Sequence, residues 1–154
     1  MSELTIRVQE EDFDVGEELA RLSESKPQVG AVACFVGLVR DMEGGGAIES
    51  MTLEHYPGMT EEKLRQTVAE AEERWPLEDC LVIHRTGRLE PGDRIVLVAA
   101  TSAHRDAAFE ACRFIIDWLK TSAPFWKQEQ GSEGTRWVEQ RDNDRAAARR
   151  WEKD

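Results

Sequence analysis

The sequence predicts an α+β fold. Apolar runs of strand length and amphipathic stretches of helix length succeed one another irregularly along 154 residues. The steady βαβ alternation that builds a doubly wound parallel sheet is missing. Two strands are joined through Leu89-Glu90-Pro91-Gly92-Asp93, whose Pro-Gly pair is a turn signal, so at least one pairing is hairpin-like. A chain of this length is expected to be one domain, residues 1–154, long enough to bury a real core.

Each element follows from local chemistry. Thr5-Ile6-Arg7-Val8 reads as a short first strand. Val15, Leu19 and Leu22 fall on one helical face, and that helix should stop before Pro27. Residues 29–39 are a near-continuous apolar run with β-branched side chains, expected as a buried strand closing on Gly37-Leu38-Val39-Arg40. Gly44-Gly45-Gly46 reads as a loop with no core-forming side chains. Met51, Leu53 and His55 alternate with polar residues, the pattern of a half-buried strand, ended by Pro57-Gly58. Leu64, Val68, Ala71 and Trp75 recur at helical spacing up to Pro76, and residues 81–85 and 94–101 are two further strands. Ser102 is the expected N-cap of a third helix with Ala108, Cys112, Ile115, Ile116 and Leu119 on its buried face. Arg136-Trp137-Val138 reads as a last short strand. Beyond about residue 140 the chain is a highly charged tail to residue 154, with helical propensity at Ala146-Ala147-Ala148.

Composition narrows the function. The formal net charge is −11, which repels a phosphate backbone, so non-specific nucleic-acid binding is not expected. Any anionic substrate must be met by a local basic cluster. No apolar run approaches the roughly 20 residues of a membrane span, and the N-terminal residues lack the pattern of a signal peptide. Cys34, Cys80 and Cys112 are odd in number and form no C-x-x-C pair, as expected of a reduced, cytoplasmic protein. His55, His84 and His104 are too dispersed to suggest a metal site.

Basic residues stand out against this acidic background. Lys120 lies at the end of the third helix and Lys127 follows the break at Pro124, so the two cannot share a helix face. Lys127 is expected to begin an extended segment that folds back, bringing two ammonium groups together for an anion. A lysine in a last helical turn is also explained by the macrodipole alone, and spacing does not separate the two readings. Arg40 closes an apolar strand, where a guanidinium can grip a phosphate or carboxylate bidentately or simply end the strand in water. His104 and Arg105 occupy the first turn of the third helix, a place the dipole disfavours for cations. An anion shared with the free helix N–H groups is one reason for them, and plain exposure is the other.

Five blocks carry a family resemblance. They are Phe35-Val36-Gly37-Leu38-Val39-Arg40-Asp41, Leu53-Glu54-His55-Tyr56-Pro57-Gly58-Met59, Ile83-His84-Arg85-Thr86-Gly87-Arg88-Leu89, His104-Arg105-Asp106-Ala107-Ala108-Phe109, and the double-lysine segment from Leu119 to Glu129, continued by Arg136-Trp137-Val138-Glu139. In this order they resemble the catalytic (large) subunit family of molybdopterin synthase over nearly the whole chain. Gln128, where a second basic residue is usual, and the glycine-rich loop at residues 42–46 depart from the family pattern.

The resemblance implies an α/β-hammerhead type of α+β fold with additional antiparallel strands. It implies a homodimer within a heterotetramer, each copy docking a small ubiquitin-like sulfur-carrier subunit whose C-terminal Gly-Gly bears a thiocarboxylate. The implied substrate is cyclic pyranopterin monophosphate (precursor Z), which receives two dithiolene sulfurs to become molybdopterin. No cofactor or metal is implied. By the same resemblance Lys120 and Lys127 are catalytic. Leu38, Val39, Arg40, His104, Arg105, Gln128 and Glu129 join them in holding the substrate. Two rival readings use the same basic residues: a non-catalytic docking module for a ubiquitin-like tail, and a phosphate-ester hydrolase that needs no carrier.

Overall fold

The computed structural model describes residues 3–40, 42–43, 46–121, 125–131, 134–137, 149 and 151–152, and among them nine strands and three helices are assembled around a four-stranded mixed sheet. The expectations for Gly44-Gly45, for Pro124, for Val138 and for most of the tail lie outside the described residues. The chain runs β1 (Glu3–Gln9), α1 (Val15–Ser23), β2 (Ala31–Leu38), β3 (Met42–Glu43), β4 (Gly46–His55) and α2 (Met59–Arg74). It continues through β5 (Asp79–Arg85), β6 (Gly87–Leu89), β7 (Arg94–Ser102), α3 (Arg105–Thr121), β8 (Phe125–Gly131) and β9 (Gly134–Trp137).

The first sheet has the order β1-β5-β7-β2, parallel between β1 and β5 and antiparallel elsewhere. Its central strands β5 and β7 are buried on both faces, which is why they read as unbroken apolar runs. Cys80, Val82, Val96, Val98 and Ala100 pack with α2 and α3, while Leu81, Ile83, Leu97 and Ala99 pack with Phe13 and Leu22 on the α1 side. The second sheet has the order β3-β4-β8-β9, with β6 also paired to β4. Met51, Leu53 and Leu89 carry its inner face into the α2–α3 core.

Three expectations are corrected. The strand of residues 29–39 is β2, and it is an edge strand rather than a buried one: Val32, Cys34, Phe35 and Leu38 are exposed. Hydrophobicity alone does not distinguish a strand covered on both sides from one awaiting cover. Gly46 belongs to β4, and β3 and β6 were too short to carry a period of their own. Ser102 is the last residue of β7 rather than a helix N-cap. Its hydroxyl donates to Pro76 O (2.7 Å) and accepts from His104 N–H (3.3 Å), so it ties the β7–α3 turn to the end of α2.

The described part of the tail is anchored. Trp151 stands edge-on to both Trp75 and Phe114, with ring centroids 5.6 and 5.5 Å away, and its indole N–H donates to Asp117 Oδ2 (2.6 Å). Arg74 donates to Trp151 O (2.7 Å) and lies over the Phe114 ring. Deleting a large ring from such a nest leaves a hole that its neighbours fill only in part. Because Trp151 is half-buried, Trp151→Ala is expected to cost about 2–3 kcal/mol. A shift of the urea midpoint without a change of slope measures it, and an unmoved midpoint would mean the anchor contributes nothing.

Candidate active site

The strand registers decide which basic residues meet. Leu38 pairs with Arg94, so the residues following β2 lie at the start of β7. Val39 N–H donates to Asp93 O (2.9 Å), Gly92 N–H donates to Val39 O (2.8 Å), and the Val39 side chain is buried. The turn is closed by Glu90 N–H donating to Asp93 Oδ2 (2.8 Å), with Gly92 at a φ of 93° that favours glycine. Val39 is thus spent on structure. Its polar backbone and its side chain hold Arg40 outward at the rim, beside the exposed Leu38.

Helix α3 brings Lys120 to the same rim. After the short turn at residues 103–104 the helix runs back along β7, and midway Cys112 Sγ lies 3.6 Å from Val98 O. Its last turn therefore ends over the Arg94 end of the sheet, with Lys120 exposed and the helix closed by Thr121 Oγ1 donating to Asp117 O (3.0 Å). The position suits a cation, since the carbonyl end of the helix is negative.

Lys127 arrives from the second sheet. On β8 it pairs with Leu53, which on its other side pairs with Gly87, two residues beyond the end of β5. His84, near that end of β5, pairs with Val96 near the start of β7, so Lys127 is also placed at the Arg94 end. Gln128 and Glu129 follow on the same strand, opposite Thr52 and Met51. The extended segment after residue 124 is as the sequence led one to expect.

His104 and Arg105 are not there. They are exposed at the opposite end of the sheet, where Gly30 N–H donates to Ser102 O (3.0 Å). A Cβ on Gly30 would sit 2.1 Å from Ala103 O, so only glycine lets the start of β2 lie against this turn. From Arg105 to Lys120 the helix rises about 22 Å. One copy of the chain thus carries the predicted residues as two separated groups: Arg40, Lys120 and Lys127 at one end, His104 and Arg105 at the other.

Charged contacts at the Arg94 end of the sheet were not read from the sequence. Arg94 donates to both carboxylate oxygens of Asp12 (3.0 and 2.6 Å), and Arg85 donates to Glu10 O (3.0 Å) and Arg94 O (3.0 Å). Asp12 and Arg94 are 82 residues apart, so no local pattern announces the pair. The hydrogen bonds from the Arg94 guanidinium hold the Asp12 carboxyl below its ordinary value of 3.8. The unfolded chain takes up that proton first as pH falls. The pair's stabilisation is therefore complete above about pH 4 and lost below it. Asp12→Asn is expected to lower stability by under about 1 kcal/mol at pH 7, because the pair is exposed. The difference from the parent should shrink as pH falls below the carboxyl's ordinary value; a difference in urea titrations that does not diminish with acidification would rule out this linkage.

Other chemistries find little support. Burial pushes the Cys80 and Cys112 thiols up to about 12, so neither is a thiolate at neutral pH. The buried His84 holds Arg85 O at 2.8 Å from Nδ1, as expected of a satisfied structural histidine. Among the described residues, no group of three His, Cys, Asp or Glu side chains could hold a metal ion, and no helix is long and apolar enough to cross a membrane.

Comparison with known proteins decides the family. The model of the MoaE protein family matches residues 8–122. The chain belongs to the MoaE family. A molybdopterin synthase catalytic subunit from Ralstonia nicotianae is 57% identical over 147 residues, covering 96% of this chain and 84% of the relative. A solved MoaE protein from Burkholderia ambifaria is 51% identical with a TM-score of 0.83, over 97% of this chain and 98% of that one. A molybdopterin synthase structure from Staphylococcus aureus, 32% identical, has a TM-score of 0.79 and covers 86% and 96%. The fold is the α+β fold of MoaE proteins. The activity of this MoaE chain is that of a molybdopterin synthase catalytic subunit, an enzyme of sulfur transfer in molybdenum cofactor biosynthesis.

Proposed function

We propose that this chain, taken as one domain over residues 1–154, inserts two dithiolene sulfurs into cyclic pyranopterin monophosphate, using the rim that carries Arg40, Lys120 and Lys127. The observation that carries the reading is the convergence of these three cations at one end of an otherwise acidic protein, from three separate elements. A relative named as a catalytic subunit implies a companion. The companion proposed is a small ubiquitin-like carrier ending in a Gly-Gly thiocarboxylate, whose side-chain-free tail can thread between elements where bulkier residues would clash.

Lys120 meets the incoming thiocarboxylate by charge and polarises the acyl group as sulfur is handed over. Lys127 supplies a proton or a stabilising charge at the carbons that receive sulfur, with Gln128 and Glu129 along the same strand. The carbon–sulfur bond to the carrier must break in each transfer, water taking the place of sulfur on the acyl carbon, and each substrate carbon that gains sulfur gives up a carbon–oxygen bond, the cyclic phosphate opening to a monoester along the way, so each product consumes two carriers. Arg40, with the exposed Leu38 beside it, holds the phosphate and pterin through charge-assisted hydrogen bonds. His104 and Arg105 belong to the same pocket only if a second copy provides them, because about 22 Å of helix separates them from Lys120 within one chain. A homodimer supplies that copy. Three free thiols support a reducing, cytoplasmic setting.

An assay of purified substrate with and without thiocarboxylated carrier tests the reading. Dithiolene formation is expected only with the carrier and at two carriers per product. Phosphate release without carrier would instead make the chain a hydrolase, and carrier binding without turnover would make it a docking module.

A further inference from the structure

The junction between β4 and α2, His55-Tyr56-Pro57-Gly58-Met59, has no part in the chemistry proposed above, yet its backbone is held from both sides. Thr60 N–H donates to Tyr56 O (2.9 Å) and Tyr56 N–H to Thr60 Oγ1 (3.3 Å). Glu62 N–H donates to Gly58 O (3.1 Å) and Gly58 N–H to Glu61 Oε2 (2.9 Å). Thr60 is fully buried, and Gly58 takes a φ of 84° that a side chain would oppose. A junction so fixed gives His55, the last residue of β4, a fixed place against the first turn of α2.

One polar atom of this junction is left over. Glu61 uses Oε2 to cap Gly58, while its Oε1 is buried with no hydrogen bond among the described residues. Helix capping explains the first oxygen and not the second. A carboxylate oxygen taken out of water without a donor carries a desolvation cost, so its retention calls for a reason. The group it faces is the His55 ring, whose Nε2 lies 3.7 Å away, too long for a hydrogen bond but close enough for an ion pair. Both side chains are largely covered, with 20% of His55 and 25% of Glu61 exposed.

Strand register sets this pair beside Lys127. His55 pairs with Phe125 and Leu53 with Lys127, so positions 53, 55, 125 and 127 fall on one face of the β4–β8 ladder. It is the face that Met51 and Leu53 carry into the α2–α3 core. His55 and Lys127 are diagonal neighbours on it, about 7–8 Å apart, a separation that long side chains cross. Glu54, the adjacent carboxylate on β4, is exposed and belongs to the other face.

We infer that His55, held by Glu61, is the proton relay that recharges Lys127 between the two sulfur transfers. The inference deepens the proposed function and rests on the proton-donating role given there to Lys127. In each transfer a carbon–sulfur bond forms at the substrate and a carbon–oxygen bond breaks. The departing oxygen takes a proton from the Lys127 ammonium, which is left as an amine. The His55 imidazolium gives its Nδ1 proton to that amine, and the neutral ring regains one from water, an exchange suited to imidazole near neutrality. The Glu61 carboxylate closes on Nε2–H and steadies the charged ring. No electrons change hands, and water cleaving the carrier bond to carboxylate and thiolate releases the protons the cycle draws on. A lysine that has given its proton serves the second transfer only after it has been recharged.

Turnover of pterin phosphate with thiocarboxylated carrier in excess tests the relay, with Lys127→Ala measured alongside. His55→Gln keeps an amide nitrogen near the place of Nε2 but cannot carry a proton. It is expected to lower kcat about tenfold or more, with unchanged circular dichroism and with substrate and carrier affinities within about twofold of the parent's. His55→Ala should lose as much, and free imidazole in the buffer should restore it several-fold. Glu61→Gln keeps an oxygen for the cap and should lose less. The double variant His55→Gln with Glu61→Gln should be no slower than His55→Gln alone, because the two act as a unit. If Lys127→Ala is inactive while His55→Gln turns over as the parent does, the relay is overturned and the role of the lysine stands. If Lys127→Ala is active, the reading of the lysine falls and the relay with it. Affinity lost in place of kcat, a folded His55→Ala that imidazole does not restore, or additive losses in the double variant would make His55 a structural support and overturn the relay.

Discussion

Replacing Lys120 by alanine is expected to reduce sulfur transfer by about 10²–10⁴-fold, the usual cost of losing a positioned acid, base or charge stabiliser. The fold should be untouched. The Lys120 side chain is exposed, and the last turn of α3 is held by other groups: Ile115 in the core, Asp117 beneath Trp151, and the Thr121 hydroxyl on the Asp117 carbonyl. Lys127→Ala is expected to have an effect of the same order, since β8 keeps its register with β4 through backbone pairing whatever the side chain. Single-turnover transfer of labelled sulfur from a stoichiometric carrier measures both. Near-normal transfer in either variant removes that lysine from the chemistry. Label trapped on Cys34, the exposed thiol, would replace direct delivery by a relay through this chain.

Arg40→Ala and Arg105→Ala are each expected to weaken substrate binding about ten- to a hundredfold, the worth of a charge-assisted hydrogen bond of roughly 1.5–3 kcal/mol. Together the two variants give a sharper result. If each pocket takes Arg40 from one copy and Arg105 from the other, a mixed dimer of the two variants has one doubly defective pocket and one intact pocket. Equal amounts unfolded and refolded together should yield half mixed dimers, and so about a quarter of the parent's pockets with full affinity. Titration of the pterin phosphate against the refolded mixture would show this fraction as a tight phase absent from either variant alone. No tight phase in a mixture shown to contain mixed dimers would place Arg40 and Arg105 in separate sites, and His104 with the latter.

Much of this protein was determined by sequence alone. The amphipathic period of α3, the alternation at Met51, Leu53 and His55, and the Pro-Gly turn before β7 each fix a local structure through sterics and burial, and such signals are complete within a dozen residues. The family was legible for a related reason: its blocks are contiguous. Two lysines either side of a proline, here proposed as catalytic, are a local pattern, and the structure adds to them only that β8 returns along β4 to the Arg94 end of the sheet.

What the tertiary structure decided is where the ends of elements fall relative to one another. The apolar run of β2 reads the same whether it is central or at an edge, because hydrophobicity records that a face will be covered and not by what. The clamp between Asp12 and Arg94 spans 82 residues and left no local trace. Above all, His104 and Arg105 stand beside Lys120 in any list of basic residues, yet α3 is a rigid rod of about 22 Å that holds them apart. A sequence gives chemical identity and local period. Only packing gives distance, and the length of α3 is what sets His104 and Arg105 apart from Lys120 within one chain.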